Sequence, residues 1–324
     1  PQILAQQKAK GKPFEFKFVD LEIQNIIAYI TLNRPEAMNA LNETVVTQLD
    51  QRFTEAENNP DVKAIVFQGA GKAFVAGADI KYFIEKIKTD RIDDIVAFTR
   101  KGHELFLRIE NSAKLTIALL DGLSLGGGSE LALTCQAVIA TPAGSLGFTE
   151  TGIGIFPGLG GMLRLARFTS PDFAKYYVFT GTPITAQTAH ELGIVTKLVR
   201  PAEVEVAIKE LTAEGKPDKY QQRDLPEHLE PFAQACSPDN VARLLSGSPP
   251  EGIPDEIAVR AAKFIGYKAP IALKIANEII DQQAGMSMED AIEVELSRCK
   301  DIFSTDDALL GLSNIGKRIN FKGA

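Results

Sequence analysis

Leu115-Thr116-Ile117-Ala118-Leu119-Leu120-Asp121-Gly122-Leu123-Ser124-Leu125-Gly126-Gly127-Gly128-Ser129-Glu130 is the stretch on which the fold turns. An apolar run of strand length leads into three consecutive glycines. Leu131-Ala132-Leu133-Thr134-Cys135 then reads as the buried side of a helix. Glycines at a helix start leave backbone N–H groups unshielded, and those groups, with the helix dipole, favour negative charge. Glu130 places a carboxylate one turn further along. An anion-stabilising backbone beside a fixed acid or base is half of an active site. The competing reading is purely structural: glycines for close helix–strand packing, and a first-turn Glu for the dipole alone.

Outward from there the same grammar repeats. Lys63 to Phe67 and Ala137 to Ala140 are short buried strands. Ile26 to Ile30 is nearly continuous apolar, as in a strand buried on both faces, and we assign strands to Phe14–Phe18 and Ile23–Leu32. Asn42 caps a helix carrying Val45, Leu49 and Phe53 on one face. Phe74-Val75-Ala76-Gly77-Ala78-Asp79-Ile80-Lys81 leads into a helix, and Ile92 to Ile109 is a second, longer one. Leu146-Gly147-Phe148-Thr149-Glu150 precedes a glycine-rich loop, Gly152 to Gly161. Helices follow near Met162 to Arg167, Pro171 to Thr180 and Ala186 to Leu192. Seven prolines between Ala213 and Pro254 mark an insertion with short helical pieces such as Asn240 to Leu245. Beyond it, Pro254 to Ile319 is helical in pattern. There Ile292, Leu296, Cys299 and Phe303 form an apolar stripe, and Ser287 with Asp290 resembles a capping box. Alternating strands and helices followed by helices alone predict an α/β core, residues 19–200, with a helical C-terminal appendage, residues 201–324. Residues 1–18 read as an extension or linker, its first 13 residues a short polar helix.

Composition narrows the function. A net charge of −7 argues against broad nucleic-acid or anionic-membrane binding. No uninterrupted apolar run is long enough to span a membrane, no signal peptide is visible, and three scattered cysteines make neither a disulfide framework nor a zinc site, so a cytoplasmic protein without a metal is expected. Gly69-Ala70-Gly71-Lys72 hints at a phosphate loop but lacks the earlier glycine and the hydroxyl residue. Gly122-Leu123-Ser124-Leu125-Gly126 satisfies the nucleophile-elbow pattern of serine hydrolases, yet Leu125 and three glycines separate Ser124 from the helix, and His190 and His228 are poorly placed as triad partners. Carboxylate chemistry remains. Glu130 and Glu150 are separated by one strand and its return, a length that brings them back to one cleft. Two such groups repel, one pKa rises, and the pair divides into an acid and a base near neutrality.

These residues resemble the enoyl-CoA hydratase (crotonase) superfamily. The resemblance runs from Ile30 to about Val199 and resumes from about Ile257 to the C-terminus. Asn33-Arg34-Pro35-Glu36-Ala37-Met38-Asn39-Ala40-Leu41 is similar to the family's first landmark, and Phe74 to Lys81 to the second. Leu125 to Glu130 is similar to the third; Gly147-Phe148-Thr149-Glu150 with Pro157-Gly158-Leu159-Gly160-Gly161 to the fourth. Each motif alone is weak; four in order are strong. The resemblance implies a spiral of ββα units with C-terminal helices that build a trimer, or a hexamer from two trimers. It further implies an oxyanion hole from the N–H groups of Ala78 and Gly127, catalytic glutamates Glu130 and Glu150, and a water site bordered by Gly158. Ala76, Ile80 and Lys81 would line the CoA site, with Lys317 and Phe321 contributing from a C-terminal segment, across a subunit boundary. The implied activity is hydration of 2-enoyl-CoA, with no metal or redox cofactor. Glu130 orients and deprotonates water and Glu150 delivers the proton to C2, although the residues alone leave either assignment open.

Retention of both glutamates favours hydratase within the superfamily: isomerases generally keep one, and the hydroxyisobutyryl-CoA hydrolases lack the first. The alternatives carried forward are 3-enoyl-CoA isomerase and a catalytically silent scaffold. The N-terminal extension resembles the linker of fused proteins in which a 3-hydroxyacyl-CoA dehydrogenase precedes the hydratase. Residues between Tyr82 and Phe98 are expected to shape the acyl pocket, and the insertion to alter oligomer contacts or cover that pocket.

Overall fold

The computed structural model describes residues 17–221 and 223–324. The first strand is β1 (Val19–Gln24), followed by β2 (Ile27–Leu32). The continuous strand expected over Ile23–Leu32 is therefore a hairpin, with register Gln24↔Ile27 to Val19↔Leu32. Asn25 makes the turn at φ 55°, a conformation its short polar side chain tolerates. Ile26 continues the apolar run of β2 into the turn, which hid it from periodicity. In the strand expected over Phe14–Phe18, residues 14–16 lie outside the described residues and the strand proper begins after Phe18; the N-terminal helix expected over the first 13 residues lies outside them too.

Three successive units then send one strand to each of two sheets. After α1 (Glu43–Asn58) come β3 (Ala64–Gly69) and β4 (Ala73–Ala76), with α2 (Ile80–Lys88) and α3 (Ile92–Glu110) behind them. Next are β5 (Leu115–Leu120), β6 (Leu123–Leu125) and α4 (Gly127–Thr134), then β7 (Ala137–Ala140), β8 (Ser145–Gly147) and a short 3₁₀ turn, Glu150–Ile153. α5 (Gly161–Phe168) and α6 (Pro171–Thr180) lead to β9 (Ile184–Thr185), α7 (Ala186–Glu191), β10 (Lys197–Leu198) and α8 (Val204–Glu214). The first strands make a six-stranded sheet, β1-β2-β3-β5-β7-β10, parallel except for the hairpin; the second strands make a four-stranded sheet, β4-β6-β8-β9. Strands with both faces covered read as unbroken apolar runs. Ala28, Ile30, Ile65 and Phe67 face the main core, while Ile27, Tyr29, Val66 and Ile117 pack under Ala207, Ile208 and Leu211 of α8.

The chain continues through α9 (Glu230–Gln234), α10 (Val241–Leu245), α11 (Asp255–Ile265), α12 (Pro270–Gln283), α13 (Met288–Phe303) and α14 (Asp306–Leu312). The expected capping at Ser287 is present, its hydroxyl accepting from Asp290 N–H at 3.1 Å. The C-terminal region is helical as expected, and its helices pack onto the α/β core: α13 packs on α3, and Cys299, Ile302 and Phe303 belong to the main core. The insertion is likewise integrated. Phe232 packs on the rings of Tyr176 and Tyr177, and Leu229, Cys236 and Leu244 are buried.

Sheet and site meet at Gly128. A Cβ there would lie 2.0 Å from the carbonyl oxygen of Val75 in β4, so α4 approaches the strand only because the side chain is absent. Overpacking of this kind costs typically 1–3 kcal/mol, more where backbone must move. Gly128→Ala is expected to lower unfolding stability by about 2 kcal/mol or more in urea titration. Gly266→Ala, at a residue with helical φ whose Cβ would have no neighbour nearer than 3.5 Å, is expected to change it by about 0.5 kcal/mol at most.

Candidate active site

Asn39 explains the first motif. Its amide, fully buried, donates to the carbonyls of Ala70, Ala73 and Phe74 at 3.0, 2.9 and 3.1 Å, and its Oδ1 accepts the Arg34 N–H at 2.9 Å. That clamp lays Leu41 alongside the 77–79 segment. Leu41 N–H donates to Gly77 O (2.9 Å) and Asp79 N–H to Leu41 O (2.7 Å), while Arg34 pairs with Asp79 at 3.0 Å. In this pattern the bonds run through Gly77 and Asp79, and the Ala78 N–H is left over. Gly127 is the first residue of α4, so its N–H has no intrahelical acceptor. Both residues line one cavity of about 210 Å³.

Glu130 and Glu150 line the same cavity and are buried. Glu130 Oε1 accepts the N–H groups of Leu159 (2.7 Å) and Gly161 (2.9 Å). Glu150 opens the 3₁₀ turn, which Thr151 anchors by donating to Val178 O at 3.0 Å and by accepting Ala269 N–H at 2.9 Å. Glu150 Oε2 is buried with no hydrogen-bond partner. Gly126, at φ 47°, makes room for it: a Cβ there would stand 2.4 Å from Glu150 Oε1. Burial pushes both carboxyls well above the usual range. For Glu150 the negative charge of Glu130 adds to the shift; for Glu130 the two loop N–H groups oppose it.

The rest of the lining divides by origin. Ala76, Ile80 and Gly158 are present as expected, and Phe83 and Phe98 from the 82–98 segment form an aromatic wall. Glu295, Cys299 and Phe303 of α13 form another, and sequence reasoning missed them. The signal was available: Glu295 falls within the apolar stripe of Ile292, Leu296 and Cys299, where a charge is out of place. Lys81 is exposed one residue beyond Ile80, and neither Lys317 nor Phe321 lines the cavity; Phe321 packs against the core and Ile315 lines the cavity instead. No described residue of the 213–254 insertion lines it either, so those residues do not cover the pocket within this chain. It acts at one remove. Lys219 and Tyr220 bond Glu110, Glu110 bonds the fully buried Arg164, and Arg164 Nη1 donates to Leu159 O (3.2 Å) and Gly160 O (3.4 Å). Burial pushes the Glu110 carboxyl up, but Arg164 and Lys219 outweigh it and hold it down to about 2.

The serine hydrolase reading fails on geometry. Ser124 is wholly buried in β6 and packed against Ser129, while His190 bonds Val195 O and His228 pairs with Glu191. Among the described residues no cluster of three or more His, Cys, Asp or Glu is placed to hold a metal ion, and no helix is long and apolar enough to cross a membrane.

A ββα spiral whose cavity brings together two N–H groups without an acceptor among the described residues and two buried carboxyls is equipped for acid–base chemistry beside an anion-stabilising backbone, and comparison gives the family. A model of the enoyl-CoA hydratase/isomerase family matches residues 27–315, and the chain belongs to that family. It is 39% identical over 198 residues to a short-chain-enoyl-CoA hydratase of Clostridium acetobutylicum, covering 61% of this chain and 74% of that one. It is 28% identical over 312 residues to the mitochondrial 3-hydroxyisobutyryl-CoA hydrolase of Rattus norvegicus, covering 90% and 80%. The crystal structure of an enoyl-CoA hydratase from Rhodobacter sphaeroides 2.4.1 shares the fold with a TM-score of 0.81 at 22% identity, covering 95% of this chain and 93% of that one.

A carboxyl whose pKa rises on folding holds its proton more tightly folded than unfolded. The stability it contributes is therefore full below the unfolded value near 4.5 and is lost as pH climbs through the raised folded value. Glu150→Gln removes that loss. By thermal or urea unfolding it is expected to match wild type near pH 5 and to exceed it at pH 8.5 by on the order of 2 kcal/mol.

Proposed function

We propose that the protein is an enoyl-CoA hydratase, adding water reversibly across the 2,3 double bond of a trans-2-enoyl-CoA to give the 3-hydroxyacyl-CoA. The observation that carries this reading is the pairing of Glu130 and Glu150 across the cavity that Ala78 and Gly127 also line. The thioester carbonyl takes the two N–H groups, which stabilise the negative charge gathering on oxygen as C3 is attacked. Glu130, with two N–H groups on Oε1, is the more easily ionised of the two and removes a proton from water, whose oxygen bonds to C3. Glu150, burdened by burial and by its neighbour's charge, keeps its proton and delivers it to C2. The net change is one water added with no electron transferred, so the step calls on no redox cofactor. Gly158 borders the space where that water sits. Ala76 and Ile80 flank the mouth with Lys81 outside it, suited to the phosphate-bearing end of CoA. Lys317 and Phe321 would meet CoA only from a neighbouring subunit of a trimer or hexamer.

A second reading has one observation in its favour. The hydrolase relative aligns over nine-tenths of the chain, whereas the hydratase relative covers three-fifths. Hydrolysis of a 3-hydroxyacyl-CoA would release free CoA thiol; Glu130 stands against it, since the resemblance implies that such hydrolases lack the first glutamate. Crotonyl-CoA, followed by loss of its conjugated-thioester absorbance, is expected to be turned over without thiol release. Glu130→Gln and Glu150→Gln are each expected to lower kcat about 10²–10⁴-fold while CoA-thioester binding persists. No turnover of short or medium 2-enoyl-CoA, or thiol release from 3-hydroxyacyl-CoA instead, overturns the hydratase reading.

A further inference from the structure

Glu295 is a third carboxyl in the cavity, 1% exposed, on a helix far along the chain from the four sequence motifs. No lysine or arginine pairs with it among the described residues. Its nearest ionisable neighbour is His103 of α3, with Nε2 3.5 Å from Glu295 Oε2, and burial pushes that imidazole down to about 3, leaving it neutral. A buried carboxyl without a cation is unfavourable unless donors satisfy it. Here the donors are Gly160 N–H, 2.9 Å from Oε2, and the Gln283 amide, 3.0 Å from Oε1.

The first of these contacts is the informative one. Leu159, Gly160 and Gly161 present three consecutive N–H groups. The outer two hold Glu130 Oε1, and the middle one holds Glu295 Oε2. The turn is strung between two carboxyls from opposite sides, while Arg164 holds its carbonyls. We propose that Glu295 is a positioning residue of this site, resting on the hydration reading: by clamping Gly160 it fixes the flanking N–H pair that orients Glu130.

The groups facing this pair are His103 from α3, Arg164 from α5 and Glu150 across the cavity. On α13 itself Glu293 turns outward to Arg100 at 2.6 Å, and Cys299 meets Thr99. Loosening the turn takes donors from the ionised form of Glu130, so its pKa rises and the acid limb of the kcat–pH profile moves to higher pH.

Three variants separate positioning from mere filling of space. Glu295→Ala removes the clamp. It is expected to lower kcat for crotonyl-CoA about tenfold or more, with KM within about threefold, and to shift the acid limb upward by about half a pH unit or more. Glu295→Gln keeps an acceptor for Gly160 and gives up only the bond from the Gln283 amide, whose NH₂ still donates to Ala291 O. It is expected to retain the wild-type limb and kcat within about threefold. If circular dichroism shows that Glu295→Ala does not fold, Glu295→Asp, one methylene too short to reach Gly160, takes its place. Hydrogen exchange at the Leu159–Gly161 amides reads the clamp without any turnover: protection is expected to fall in Glu295→Ala and to persist in Glu295→Gln. Unchanged protection in Glu295→Ala overturns the proposal, as does a loss of kcat equal in both variants with the acid limb unmoved. A wild-type protein inactive on 2-enoyl-CoA refutes the hydratase reading instead, and the exchange result still decides the clamp.

Discussion

Two buried carboxyls line one cavity, and each raises the free energy of the other's charge. Everything near the cavity answers to that constraint. Placed in solvent, Glu130 and Glu150 would both ionise near pH 4.5 and be useless as a pair at neutral pH. Buried together, both carboxyls are pushed up; Glu130 is held by the Leu159 and Gly161 N–H groups while Glu150 also carries its neighbour's charge, and in the proposed reaction that difference makes one the proton acceptor and the other the proton donor. The arrangement opposes stability at neutral and alkaline pH, a common relation between function and folding free energy. The fold meets it by setting the site at the ends of the four-stranded sheet, against Phe83 and Phe98 on one side and Cys299 and Phe303 of α13 on another.

The ββα repeat makes the juxtaposition possible. Each unit contributes one strand to the large sheet and one to the small, so the ends of β4, β6 and β8 lie side by side although they are distant in sequence. Ala78 follows β4, Gly127 follows β6 and Glu150 follows β8. Three parallel neighbours thus deliver one N–H, a second N–H with its carboxyl one turn on, and the opposing carboxyl. Small residues at these strand ends are steric necessities: a Cβ at Gly126 strikes the Glu150 carboxyl and one at Gly128 strikes the Val75 carbonyl.

What could be read from the residues alone follows the range of the interactions involved. The glycine run, Glu130 and Glu150 lie in local motifs whose composition is determined by turns and close approach, and they were legible. The 25–26 hairpin was not, because Ile26 continues the apolar run and the one turn signal is a single Asn. Leu159 and Gly161 act through backbone N–H groups, which carry no side-chain signature. Glu295 was hidden for a different reason: its role depends on α13 returning to pack on α3, a contact between distant segments. Only its presence within an apolar stripe hinted at burial. The insertion's link to the site, from Lys219 and Tyr220 through Glu110 and Arg164 to the 159–160 carbonyls, is likewise a chain of tertiary contacts that no spacing announces.

The decisive quantity is the protonation of the glutamate pair in the resting protein. Infrared spectroscopy of protein labelled with ¹³C-carboxyl glutamate, taken as wild type minus Glu150→Gln across pH 4 to 9, reads it directly. A protonated carboxyl band attributable to Glu150 is expected to persist at pH 6.5, well above the ordinary titration range near 4.5. A band that disappears by pH 5.5, leaving both glutamates ionised at neutrality, would contradict the division of the pair into acid and base.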